Sequence, residues 1–126
     1  EDLTQYKIAV LGATFKPDSD DVRDSPALDI AAQLHAAGAD IVVHDPQGIE
    51  PARKRFPALT YSESIEDCVA GADLILHLTE WKQYRELDPA TIKKLVKQAK
   101  ILDGRNMLDR EKWQMAGWDF HALGRA

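Results

Sequence analysis

Apolar residues along the chain follow two alternating patterns, short unbroken runs and stretches with helical spacing. The runs are "KIAVLG" (Lys7 to Gly12), "DIVVH" (Asp40 to His44), "ALTY" (Ala58 to Tyr61), "DLILHL" (Asp73 to Leu78), "KILD" (Lys100 to Asp103) and "WDFHAL" (Trp118 to Leu123). Continuous apolar runs of this length are the mark of parallel strands buried on both faces. "DLILHL" is the clearest, "ALTY" the weakest, and "WDFHAL" is expected at a sheet edge. Between them, Ser25 offers an N-cap and Pro26 a first helical residue, with Ala27, Ile30, Ala31 and Leu34 on one face until Gly38. A short helix is predicted over Ile49 to Arg55. Ser62 is expected to cap a helix carrying Ile65, Val69 and Ala72. Asp88-Pro89 opens one with Ile92, Leu95 and Val96 inward, and a last helix runs from Asp109 to Ala116.

Strands spaced by helical segments imply right-handed crossovers. The predicted fold is therefore α/β: a single domain built on a doubly wound, mostly parallel, Rossmann-like sheet of about six strands with helices on both faces. Such sheets bind ligands beyond the carboxyl ends of their strands, where the strand order reverses. Four segments fall there: "GATFKPDSDDVRDSP", "DPQG", "TEW" and "DGRN".

Composition narrows the partners. The chain has 126 residues, 44% hydrophobic and 29% charged, with a formal net charge of −5. That balance suits one soluble core and argues against nucleic acid. The single cysteine, Cys68, excludes an internal disulfide and a Cys-rich zinc site, which makes the cytoplasm the expected compartment. No apolar run is long enough to span a membrane, and "EDLTQY" lacks the features of a signal peptide. Starting at Glu1 without methionine, the chain reads as a piece of something longer.

The loop after the first strand fails as a dinucleotide fingerprint, because Ala13, Thr14, Phe15 and Lys16 follow Gly12 where two further glycines are needed. A Walker loop fails too. Phosphate could still be held by Lys16, Arg23 and the N-terminus of the helix at Ser25. The competing reading is that Lys16 and Arg23 merely neutralise Asp18, Asp20, Asp21 and Asp24. Those acids do not make a calcium loop: counting from Asp18, position 5 is Val22 and position 6 is Arg23, where an oxygen ligand and a glycine are required. No metal is expected. Turn and cap roles explain them better. Trp81 is expected to pack rather than stack on a base, and Asp45 to form a turn with Pro46 rather than bind a ribose. In "DGRN", Gly104 permits a tight turn and Arg105 is thrown over the same edge as Lys16, so two cations suggest an anionic ligand. Cys68 lies in an amphipathic segment without a nearby base. His35, His44, His77 and His121 are scattered. No catalytic set assembles.

Taken in order and spacing, "GATFKPDSDDVRDSPALDI", "VVHDP", "LTEW" and "ILDGRN" resemble the C-terminal UDP-binding domain of the UDP-glucose/GDP-mannose dehydrogenase family, and within it the branch acting on UDP-glucose. The resemblance implies an enzyme that oxidises the C6 hydroxyl of a nucleotide sugar to a carboxylate with two NAD and a cysteine thioester. It also implies an N-terminal Rossmann domain for NAD and a helical central domain supplying that cysteine, both absent here, with a homo-oligomeric full-length enzyme. By the same resemblance Phe15, Lys16 and Arg105 contact the UDP-sugar, Arg23 reaches NAD across the interdomain cleft, and Asn106 is a weaker candidate. Cys68 does not match the catalytic cysteine. The alternative from the residues alone is a free-standing, flavodoxin-like binding or regulatory module for another anion or a protein.

Overall fold

The computed structural model describes residues 4–14 and 16–122. Strands β1 (Lys7–Leu11), β2 (Asp40–His44), β3 (Thr60–Tyr61), β4 (Leu74–His77), β5 (Lys100–Asp103) and β6 (Asp119–Ala122) form one sheet in the order β3-β2-β1-β4-β5-β6. Every pairing is parallel, with Leu11 in register between His44 and His77, and His77 beside Asp103. The sheet expected to be mostly parallel is thus wholly so among the described residues. Its order reverses between β1 and β4, which places the loops after those two strands side by side.

Alternation along the strands divides the core into two layers. Ile8, Val10, Ile41 and Val43 face one way, toward Leu28 and Ala31 of α1 (Pro26–Ala36) and Ala52 of α2 (Ile49–Arg55). Ala9, Leu11, Ile75 and Ile101 face the other, toward α3 (Ile65–Val69), α4 (Lys82–Arg85), α5 (Pro89–Lys93) and α6 (Arg110–Met115). In that second layer Trp113 and Trp118 meet edge to face at 4.9 Å. The Trp118 indole N–H donates to the Pro89 carbonyl at 2.9 Å, so its one polar atom is satisfied as the ring is buried.

Local caps explain the element starts. Ser25 and Asp109 accept from Leu28 N and Lys112 N at the heads of α1 and α6, and Asp88 accepts from Ala90 N before Pro89. Several details differ from the sequence reading: α3 and α5 stop at Val69 and Lys93, short of the Ala72, Leu95 and Val96 expected to lie on them. The buried stripe of α1 runs through Ala27, Leu28 and Ala31, whereas Ile30 is 39% exposed; it lies about 200° round the helix from Leu28. Ser64, not Ser62, caps α3, because the Ser62 hydroxyl is engaged in a tight turn with Ser64 N and O. The strand in "ALTY" shrinks to Thr60–Tyr61, and Leu123 of the last run lies outside the described residues.

Cys68 is fully buried in the second layer, its Sγ 3.4 Å from the Val42 carbonyl, and burial pushes the thiol up to about 12. It is a packing residue. No helix among the described residues is long and apolar enough to cross a membrane.

Candidate functional site

The four loops at the carboxyl edge are tied together by two buried carboxylates and by the TEW segment. The first carboxylate is Asp45, at the end of β2 and 2% exposed. Its Oδ1 accepts from Ala13 N (2.7 Å), Thr14 N (3.2 Å) and the Trp81 indole N–H (3.2 Å), and its Oδ2 from Gln47 N (3.1 Å) and Gly48 N (2.7 Å). The turn expected at Asp45-Pro46 is present, but the residue also reaches two other loops. Trp81 packs as expected: it is 5% exposed with its N–H on Asp45, and so is not placed to stack on a base.

The loop after β1 is closed where a dinucleotide would approach. Gly12 adopts φ +114°, and a Cβ there would lie 2.5 Å from Thr79 N and Cβ. Thr14, standing where the second fingerprint glycine would be, is 1% exposed and fills the turn with its side chain. The Thr79 hydroxyl donates to the Thr14 carbonyl at 2.8 Å, and the Ser25 hydroxyl to the Ala13 carbonyl at 2.7 Å. The start of α1 offers few free amides, since Pro26 has none and Leu28 N is taken by Ser25 Oγ. Side chains, rather than this helix start, are left to meet an anion.

Those side chains project outward. Lys16 is exposed, its carbonyl held by the Thr14 hydroxyl at 2.9 Å; Phe15 lies outside the described residues. Arg23 is 81% exposed in its side chain and pairs side-on with Asp21, Nε to Oδ1 and Nη2 to Oδ2 both at 3.1 Å. That guanidinium holds the Asp21 carboxyl down at about 2. The neutralising reading of the arginine is therefore correct in part, and its exposure leaves it able to touch a ligand as well. The other acids shape the turn: Asp18 and Asp24 take φ of 61° and 54°, a region aspartate tolerates.

The second buried carboxylate is Asp103, at the end of β5 and fully buried. It accepts from the His77 ring (Nδ1, 2.8 Å) and from Arg105 N, Met107 N and Leu108 N at 3.0, 2.8 and 2.8 Å. Asn106, at φ 59°, supplies the left-handed residue of this turn. Arg105 leaves the turn and meets Glu80, with Nε 2.9 Å from Oε1 and Nη2 3.3 Å from Oε2. Burial alone would raise the Glu80 carboxyl, but the Arg105 guanidinium outweighs it and sets it below the usual value. Thus Thr79, Glu80 and Trp81 in succession hold the Lys16 loop, Arg105 and Asp45. Sequence reading singled out TEW but missed Thr79 and Glu80, whose partners are 65 and 25 residues away.

Beneath this edge, Tyr84 of α4 bridges the two histidines. Its hydroxyl pairs with His44 Nδ1 at 2.7 Å and donates to the His44 carbonyl at 3.0 Å, and its ring meets His77 edge-on. Burial lowers the His44 pKa. His77 Nε2 has no hydrogen-bond partner among the described residues.

Burial by itself would raise the Asp103 carboxyl, but the His77 ring and the amides of Leu108 and Arg105 hold it at about 2, against about 3.9 in an unfolded chain. The folded value is the lower one, so this stabilisation is complete above the unfolded value and is lost as the pH falls from about 4 to about 2. NMR titration of the Asp103 carboxyl carbon is expected to give a midpoint of about pH 2, and an ordinary midpoint of about pH 4 would contradict this geometry.

A recess of about 380 Å³ opens beside β2, with His44, Asp45, Gln47, Glu50 and Glu63 on its wall. Three carboxylates make it the wrong charge for a phosphate. The exposed cations of this edge lie instead on the loops of Lys16, Arg23 and Arg105.

Comparison with known proteins gives the family. The profile described as UDP-glucose/GDP-mannose dehydrogenase family, UDP binding domain, matches residues 9–110. Among curated relatives, UDP-glucose 6-dehydrogenase of Rhizobium meliloti is 38% identical over 98% of this chain and 28% of its own length. UDP-glucose 6-dehydrogenase TuaD of Bacillus subtilis is also 38% identical, over 94% of this chain and 26% of its own. Among solved structures, the NDP-N-acetyl-D-galactosaminuronic acid dehydrogenase of Methanosarcina mazei superposes with a TM-score of 0.85 at 31% identity, covering 99% of this chain and 26% of that one. A UDP-glucose dehydrogenase from Pyrobaculum islandicum gives 0.81 at 30%, covering 99% and 27%. The chain therefore spans a little over a quarter of the relatives it matches. It belongs to the UDP-glucose/GDP-mannose dehydrogenase family, in the part that is that family's UDP binding domain.

Proposed function

We propose that residues 1–126 are the UDP-sugar-binding C-terminal domain of a cytoplasmic, NAD-dependent UDP-glucose 6-dehydrogenase that converts UDP-glucose to UDP-glucuronate while reducing two NAD. The observation that carries this reading is the pair of cation-bearing loops, Lys16 after β1 and Arg105 after β5, both wired to the TEW segment at the point where the strand order reverses. Family membership gives the ligand its identity, and similarity to UDP-glucose 6-dehydrogenases favours glucose over the other sugars.

In this reading Phe15, Lys16 and Arg105 hold the nucleotide sugar by its phosphate and hydroxyl groups. Arg23, on the exposed side of the same loop, meets NAD across a cleft completed by the N-terminal and central domains. The sheet itself does not fit NAD, because Thr14 and the Gly12–Thr79 contact occupy the place where a pyrophosphate would approach. Nor does Cys68 offer a nucleophile, since it is buried with its thiol pushed up to about 12. Its contribution is to anchor the far end of the substrate so that the reacting carbon is oriented elsewhere in a homo-oligomeric enzyme.

Calorimetric titration of the chain tests this. UDP is expected to bind more tightly than UMP and UMP more tightly than uridine, with Arg105→Ala and Lys16→Ala each lowering UDP affinity about tenfold or more, as loss of a charge-assisted phosphate contact does. Mixed with NAD and UDP-glucose, the chain should form no NADH. Equal binding of UDP by the wild-type chain and Arg105→Ala would sink the assignment.

A further inference from the structure

We propose that Glu80 is a positioning residue that presents Arg105 to the diphosphate of the ligand, an inference that rests on the function proposed above. A guanidinium carries five N–H groups in a planar fork. Glu80 takes the side edge, Nε and Nη2, at 2.9 and 3.3 Å. Among the described residues one Nη1 hydrogen and the second Nη2 hydrogen are left along the end edge, which suits bidentate contact with a phosphate. Arg105 is fixed at its other end as well, its backbone N–H held by Asp103 at 3.0 Å.

Glu80 is itself braced. Thr79 on one side is fully buried and bound to the Thr14 carbonyl, and Trp81 on the other is bound to Asp45. Trp81 N also donates to the Thr79 carbonyl at 2.9 Å, closing a turn around Glu80. The pair is only partly exposed, 38% for the Arg105 side chain and 21% for that of Glu80, so it is less screened than an open surface pair. Arg23 shows the same arrangement with Asp21, again through Nε and Nη2. Both arginines of the candidate site are thus held side-on by a carboxylate, with their end edges free among the described residues.

A carboxylate beside an anion site has two opposed effects, and the sign of a substitution separates them. Removing its charge alone would strengthen anion binding, whereas removing its hold on Arg105 returns the rotamer entropy that binding must then overcome. The experiment is UDP calorimetry on the wild-type chain, Glu80→Gln and Glu80→Ala, with the Arg105 Nε–H resonance recorded in the absence of ligand. The Nε–H signal is expected to be slowly exchanging in the wild type, partly retained in Glu80→Gln, whose amide oxygen still accepts, and lost in Glu80→Ala, with UDP affinity of Glu80→Ala about three- to tenfold lower. Unchanged or tighter UDP binding by Glu80→Ala, or an unchanged Nε–H signal in it, overturns the proposal. Failure of the underlying assignment looks different: UDP then fails to bind the wild-type chain or ignores Arg105→Ala, while the Nε–H signal still reports whether Glu80 holds Arg105.

Discussion

Asp45→Asn is expected to destabilise the chain by about 3 to 5 kcal/mol, although it exchanges one oxygen for a nitrogen of the same size. Asp45 Oδ1 serves three N–H donors and Oδ2 two. A carboxylate can satisfy all of them, but an amide must turn its NH2 toward one set. Either Gln47 N and Gly48 N, or Ala13 N, Thr14 N and the Trp81 indole, would then face a donor. Each buried donor left without an acceptor costs about 1 to 3 kcal/mol, and the bonds that remain lose the help of a full charge. For a domain of this size the melting temperature should fall by roughly 10 to 20 °C. Urea unfolding of the variant checks it, and a loss below about 1 kcal/mol would mean that the loops do not depend on Asp45.

Gly12→Ala is the second large effect, with an expected cost of about 3 kcal/mol or more. Two causes add. A side chain at φ +114° is strained, by about 1 to 3 kcal/mol, and the new methyl would sit 2.5 Å from Thr79 N and Cβ. Thr79 cannot easily retreat, because its hydroxyl holds the Thr14 carbonyl and the next two residues engage Arg105 and Asp45. Gly71 is the internal control, with φ +72° and nothing within 4 Å of its missing Cβ. Gly71→Ala should cost only about 1 kcal/mol, the backbone term alone. Denaturation midpoints of the two variants, compared side by side, test the close approach: equal losses would show that β1 and the TEW segment are not tightly apposed.

Much of this fold was legible because local rules sufficed. Asp40–His44, Ile49–Arg55 and Lys100–Asp103 stand where apolar runs and helical spacing put them, and Ser25-Pro26 opens α1 as its residue types require. Ile30 was misplaced because helical spacing gives a stripe without saying which side of it the sheet touches. Ser62 and Ser64 are two equivalent caps by composition, and only the turn between them decides. At the candidate site the cations could be named from the sequence, but not what holds them. Arg23 and Asp21 are two residues apart, so their pairing follows from proximity. Glu80 with Arg105, Thr79 with Thr14 and Asp45 with Trp81 are joined by the order of strands alone, across 25, 65 and 36 residues. Asp45 looked like a turn residue because its other partners arrive only when β1, β2 and β4 lie side by side.

The central claim is that the Lys16 and Arg105 loops, joined through TEW, form one anion-binding edge for UDP. Chemical-shift mapping of the uniformly labelled chain during UDP titration tests it most directly. Perturbations are expected at the backbone amides of residues 13, 14 and 16, 79–81 and 104–107, saturating together with a single dissociation constant that is about tenfold or more higher in Arg105→Ala. Perturbations confined to the acidic recess beside β2, or none at millimolar UDP, would contradict it.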